Sequence, residues 1–133
     1  MYSPTPFGEM LRRVREDANL SQYELAFVLN KSAQYISNIE KGKNNSPPDD
    51  GDLQKLIDKL ALSASDADKF RLLAYADRGM LPPEMFHYVF ESPPLIGLIR
   101  YAMRNGTPCD YWESVLTSLT TDRKVDYNGQ NNA

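Results

Sequence analysis

The sequence predicts an all-α chain of eight helices, five forming an amino-terminal domain and about three short ones following it. Three observations carry this. Ser21 followed by Glu24, and Ser65 followed by Asp68, are helix-start pairs; apolar residues recur at three- and four-residue spacing; and Pro, Gly and Asn punctuate the intervals between them. The clearest segment runs from Leu20 to Lys43, two short amphipathic stretches joined by a tight polar turn.

Thr5 and Pro6 start the first helix, with Phe7, Met10, Leu11 and Val14 on its buried side, Arg12 and Arg13 outside, and an end near Asn19. Ser21 and Glu24 form a capping box for the second, in which Leu25, Ala26 and Leu29 make a narrow apolar stripe ending at Asn30, a residue that tolerates left-handed backbone. Ser32 caps the third, where Ile36 and Ile39 point inward, Ala33, Gln34, Ser37 and Asn38 face outward, and Gly42 closes the helix. After a loop rich in Asn, Pro and Asp, Asp52 caps the fourth helix, with Leu53, Leu56, Ile57 and Leu60 inward. Ser65 and Asp68 open the fifth, whose Phe70, Leu72, Leu73 and Tyr75 pack, and which ends around Arg78-Gly79. Pro82-Pro83 begins a short sixth helix, Ser92-Pro93-Pro94 a seventh ending at Asn105-Gly106, and Thr107 caps an eighth carrying Trp112, Val115, Leu116 and Leu119. Three regions follow: a domain over 1–79, a helical region over 80–120, and a polar, Asn-rich tail over 121–133 expected to be disordered.

The outward face of the third helix carries small and amide side chains where a solvated face normally carries Glu and Lys. Gln and Asn donate and accept in one plane, which suits bidentate pairing with adenine in the major groove, and Ala and Ser permit close approach. A solvated polar face and a scaffolding helical hairpin are the plain alternatives. The caps, the turn length and the flanking amides and lysines favour a helix that enters DNA.

The runs Ser-Gln-x-Glu-Leu-Ala and Tyr-Ile-Ser-x-Ile-Glu-x-Gly make the chain resemble the XRE family, the Cro and phage-repressor-like DNA-binding domains, over about residues 6–62. The resemblance implies a five-helix, lambda-repressor-like domain bound to double-stranded DNA through a recognition helix at 32–40. It implies base contacts from Ala33, Gln34 and Asn38, and backbone contacts from Gln22, Tyr35, Ser37, Lys41, Lys43 and Asn44, to which Ser32 and Lys31 are added as expected backbone contacts. It further implies a pair between Arg15 and Glu40 that fixes geometry. Lys31 departs from the family, which usually places an apolar residue in the turn. Its stem can cover the same surface while the ammonium reaches toward phosphate.

Composition narrows the remaining classes. The chain has 133 residues and a net charge of -3, which argues against a generic polyanion binder. Residues 1–45 hold six Lys/Arg against five Asp/Glu, a balance of +1 that leaves -4 for the rest, so the acidic part is expected to face away from DNA. Cys109 is the single cysteine; it allows no internal disulfide, suggests a reducing cytoplasmic setting, and is expected to be buried. No segment approaches the roughly 18 unbroken apolar residues of a membrane helix. An enzyme is not expected: His87 is the single histidine, in a Phe-His-Tyr run that suggests packing, no glycine-rich phosphate loop occurs, and Asp49-Asp50-x-Asp52 reads as a turn and cap. No cofactor or metal is expected.

The carboxy-terminal helices hold more aromatic and aliphatic side chains than three short helices can bury among themselves. A homodimer over about 80–120, with Phe86, Phe90, Ile99 and Trp112 as anchors, is therefore expected, with a sealed monomeric core as the alternative. Leu81-Pro-Pro-Glu and the later Pro-x-Leu-Ile-x-Leu-Ile-Arg look like the tail of a subset of XRE regulators similar to DdrO repressors. That resemblance implies an ImmA/IrrE-type metallopeptidase as a partner. A repressor is expected; an antitoxin whose carboxy-terminal part masks a toxin, or an adaptor without DNA binding, stays open.

Overall fold

The computed structural model describes residues 2–43 and 47–122. Among these the chain is all-helical, in the order α1 (Pro6–Asp17), α2 (Gln22–Val28), α3 (Ala33–Lys41), α4 (Asp50–Leu60), α5 (Ala64–Asp77), α6 (Pro83–Phe90), α7 (Pro93–Arg104) and α8 (Cys109–Asp122). It divides into two units, Met1–Phe86 and His87–Ala133, the boundary falling inside α6.

In the first unit, α3 packs on α2 and α1, α5 on α1, and α4 on α2. Phe7, Leu11, Leu25, Ile36, Leu53, Leu56 and Phe70 are at most 1 % exposed, and each comes from the apolar stripe of its helix. The rings of Phe7 and Phe70 meet with centroids 4.9 Å apart, tilted by 55°, which ties the start of α1 to the middle of α5.

Helix ends follow local chemistry. Thr5 Oγ1 accepts from the Gly8 amide at 3.0 Å and donates to Asp77 Oδ2 at 2.9 Å. The Ser21 and Glu24 capping box closes in both directions, at 3.0 and 3.1 Å. Asn19 and Asn30 end the first two helices with φ of +56°; the amide of each and that of the next residue turn back onto helix carbonyls, as in Lys31 N to Ala26 O at 3.0 Å.

Several helix starts and burials differ from the sequence expectation. The cap of α4 is Asp49, whose Oδ1 accepts from the Asp52 amide at 2.8 Å, so Asp52 is the donor of this contact. The cap of α5 is Ser63, which accepts from Asp66 at 3.1 Å, two residues ahead of Ser65. Leu72 is 38 % exposed while Ala74 is buried beside Phe70 and Tyr75. Helix α8 begins at Cys109, with Pro108 separating it from Thr107. Cys109 is exposed, because it occupies the first turn of a helix that buries little. Thr121 and Asp122 are helical, and the rest of the expected disordered tail lies outside the described residues.

Gly42 is required twice. Its φ is +77°, and a Cβ there would stand 2.0 Å from the Ser3 carbonyl oxygen, a backbone atom. Gly42→Ala is therefore expected to cost about 2 kcal/mol, from left-handed strain and displaced backbone together. A lower urea midpoint at unchanged slope would record it; a midpoint equal to wild type would contradict it.

In the second unit Ala102 is the single buried residue among those described. Phe90, Leu98, Ile99, Tyr101, Met103, Tyr111, Leu116 and Leu119 are between 41 % and 75 % exposed. No described helix is long and apolar enough to cross a membrane.

Candidate nucleic-acid interface

Helices α2 and α3 are joined by the four residues from Leu29 to Ser32, short enough to hold them as one hairpin. Ile36 and Ile39 bury one side of α3. On the other side Gln34 is exposed and Asn38 half-buried, one turn apart. Gln34 Nε2 donates to Asn38 Oδ1 at 2.8 Å, so the two amides form one hydrogen-bonded patch. Ala33, beside them, is half-buried.

Glu40 anchors this helix from behind. It is 6 % exposed and accepts from Arg15 Nε at 2.7 Å, Arg15 Nη2 at 3.0 Å and Gln22 Nε2 at 3.1 Å. Arg15 Nη1 also donates to the Leu20 carbonyl at 3.0 Å. One carboxylate thereby holds α1, α2 and α3 in register, and its hydrogen bond raises the Arg15 pKa above the ordinary arginine value. Gln22, expected at a phosphate, directs its amide N–H to Glu40.

Two lysines flank α3, each against an aromatic ring. Lys31 Nζ stands 5.4 Å from the Tyr35 ring centroid, and Lys43 Nζ 5.4 Å from that of Tyr2. Burial pushes the Tyr35 pKa up, with Asp52 and Asp49 adding to the effect. The entry to α4 is held by Arg78, whose Nη2 donates to the carbonyls of Pro47 and Pro48 at 2.6 and 2.7 Å.

Two of the expected site residues are arranged differently. Ser37 is 9 % exposed, because it lies next to Ile36 and one turn before Glu40 on the flank of α3 that meets the core; it does not face outward. Ser32 occupies the cap position of α3 but its side chain makes no cap bond. Lys41 and Lys43 are exposed, and Asn44 lies outside the described residues. Phe86, Phe90 and Ile99 are 46 %, 60 % and 41 % exposed, while Trp112 is half-buried, edge-on to Tyr111 at 5.2 Å. Tyr2 was not singled out by the sequence. Its only signal there is an aromatic residue two positions before the Pro4-Thr5-Pro6 helix start.

Comparison with known proteins matches residues 11–66 to the family model described as helix-turn-helix. Among solved structures the chain is similar to the restriction-modification controller protein C.AhdI from Aeromonas hydrophila, at 30 % identity and a TM-score of 0.39, over 46 % of this chain and 89 % of that one. No curated protein matches.

Proposed function

We propose that this chain, which belongs to the XRE-type helix-turn-helix family of DNA-binding regulators through residues 11–66, binds an inverted-repeat operator as a homodimer and represses transcription from it. The observation that carries the reading is the exposed Gln34–Asn38 amide pair, set on a helix whose rear is fixed by the Arg15–Glu40–Gln22 cluster. Ala33, Gln34 and Asn38 read base edges in the major groove. Lys31, Tyr35, Lys41 and Lys43 meet phosphates, joined by Gln22 once its side chain turns from Glu40.

Two-fold symmetry supplies what one short helix lacks, since a single α3 spans too few base pairs for a selective site. Dimeric helix-turn-helix proteins present two recognition helices about 34 Å apart, one DNA turn. The exposed aromatic and aliphatic side chains of the second unit favour pairing there, through Phe90, Ile99 and Trp112 together with Phe86. Repression needs only occupancy of a promoter. Selection of bound duplexes from random DNA at physiological salt tests the whole proposal: inverted half-sites are expected, and absence of any preferred sequence would remove it. Sedimentation at micromolar concentration tests the dimer separately.

The backbone contacts carry their own expectation. Gln22→Ala and Lys43→Ala should weaken binding to selected and random duplexes alike. Lys43→Ala should also flatten the dependence of affinity on salt by about 0.9 in logarithmic slope, the signature of one lost phosphate contact. Anisotropy titrations at several salt concentrations read both quantities; a loss confined to the selected duplex would contradict the assignment.

A further inference from the structure

We propose that the segment Tyr2–Thr5 is part of the DNA-contacting surface, with the Tyr2 phenol donating a hydrogen bond to a backbone phosphate next to the one that Lys43 meets. This rests on the DNA-binding reading above and adds to it a contact outside the helix-turn-helix.

The root of the segment is fixed. Thr5 is held by Gly8 and Asp77 at 3.0 and 2.9 Å, and the Ser3 carbonyl lies 2.0 Å and Pro4 Cα 3.4 Å from the point where a Gly42 Cβ would stand. The segment therefore crosses directly over the carboxyl end of α3 and delivers Tyr2 to Lys43, where ring and ammonium meet at 5.4 Å. Tyr2 is 63 % exposed, so its phenol reaches solvent while its ring face steadies the lysine.

The position has a physical logic. A recognition helix seated in the major groove turns its amino-terminal residues to base edges, which leaves its carboxyl end nearer the sugar-phosphate backbone. The carboxyl end of a helix carries partial negative charge and by itself repels phosphate; contact on that side needs compensating donors, and Lys41, Lys43 and Tyr2 gather there. At the other end Lys31 and Tyr35 repeat the pairing at the same 5.4 Å. In each pair the ring limits the rotamers of a long, flexible lysine, which lowers the entropy lost when it binds.

A neutral donor and a cation leave different traces, which makes the proposal testable with the full-length chain and duplexes selected from a random pool. Tyr2→Phe is expected to weaken binding roughly 3- to 10-fold with an unchanged salt slope, because no counterion release is lost, and with an unchanged melting temperature. Substituting phosphates one at a time with uncharged methylphosphonates should reveal one position that lowers wild-type affinity but not that of Tyr2→Phe. Wild-type affinity in both Tyr2→Phe and Tyr2→Ala would overturn the proposal and leave the DNA-binding reading standing. A loss in Tyr2→Ala alone would overturn the hydrogen bond, since the ring then acts only on Lys43. If the wild-type chain prefers no duplex, the DNA-binding reading fails, and this proposal with it.

Discussion

Glu40→Ala is expected to lower stability by about 3 kcal/mol, the largest effect of any single polar substitution in the first unit. Glu40 accepts three hydrogen bonds from two helices other than its own. Its removal leaves the Arg15 guanidinium, whose side chain is 13 % exposed, with the Leu20 carbonyl and the more distant, half-exposed Glu16 carboxylate at 4.0 Å for compensation. Removing one partner of a buried pair costs roughly 3–5 kcal/mol; the lower end applies because Arg15 retains that carbonyl and some access to water. Urea denaturation monitored by circular dichroism would measure it. Replacing both partners by apolar residues of similar size, Arg15→Met with Glu40→Leu, should cost less than Glu40→Ala, since no charge is then stranded. A loss under about 1 kcal/mol in Glu40→Ala would show that the pair is ornamental. DNA affinity should fall with stability, because the same carboxylate sets the angle of α3 against α1 and α2.

The second large effect is on selectivity. Gln34→Ala and Asn38→Ala are each expected to reduce affinity for the selected operator by about 5- to 150-fold, the equivalent of roughly 1–3 kcal/mol per bidentate base contact. Affinity for random DNA should change little, because the phosphate contacts persist. The two amides hydrogen-bond to each other at 2.8 Å, so either substitution also disturbs the other residue and the double variant should lose less than the sum of the singles. Equal losses on selected and random duplexes would remove the base-reading role from both residues.

How much of this was legible from residues alone depended on how local the physics is. The second and third helices were readable because each carries its own start, stripe and stop: the Ser21–Glu24 box, Leu25 and Ala26, Asn30, Ile36 and Ile39, Gly42. Where a segment offers two equivalent caps, the choice depends on the preceding turn. Asp52 and Ser65 were expected as the caps; Asp49 and Ser63, three and two positions earlier, take the role because the chain enters each helix there. Ser37 was misplaced because it sits on the border of two faces, where helical periodicity does not decide and the approach of neighbouring helices does. Tyr2 was invisible for another reason. Its partner is 41 positions away in sequence, and the contact depends on the backbone crossing at Gly42.

The ring contact of Phe7 with Phe70 bears on where this folding unit can be cut. The helix-turn-helix pattern spans residues 11–66, and both rings lie outside it, one on each side. A fragment trimmed to the recognisable motif would lose the two largest fully buried side chains at once. It would also sever α5, which supplies Asp77 to Thr5 and, through its cap residue Arg78, holds Pro47 and Pro48. The smallest autonomous piece is therefore wider than the motif at both margins, and a truncation meant to isolate DNA recognition has to keep the aromatic clasp that closes around it.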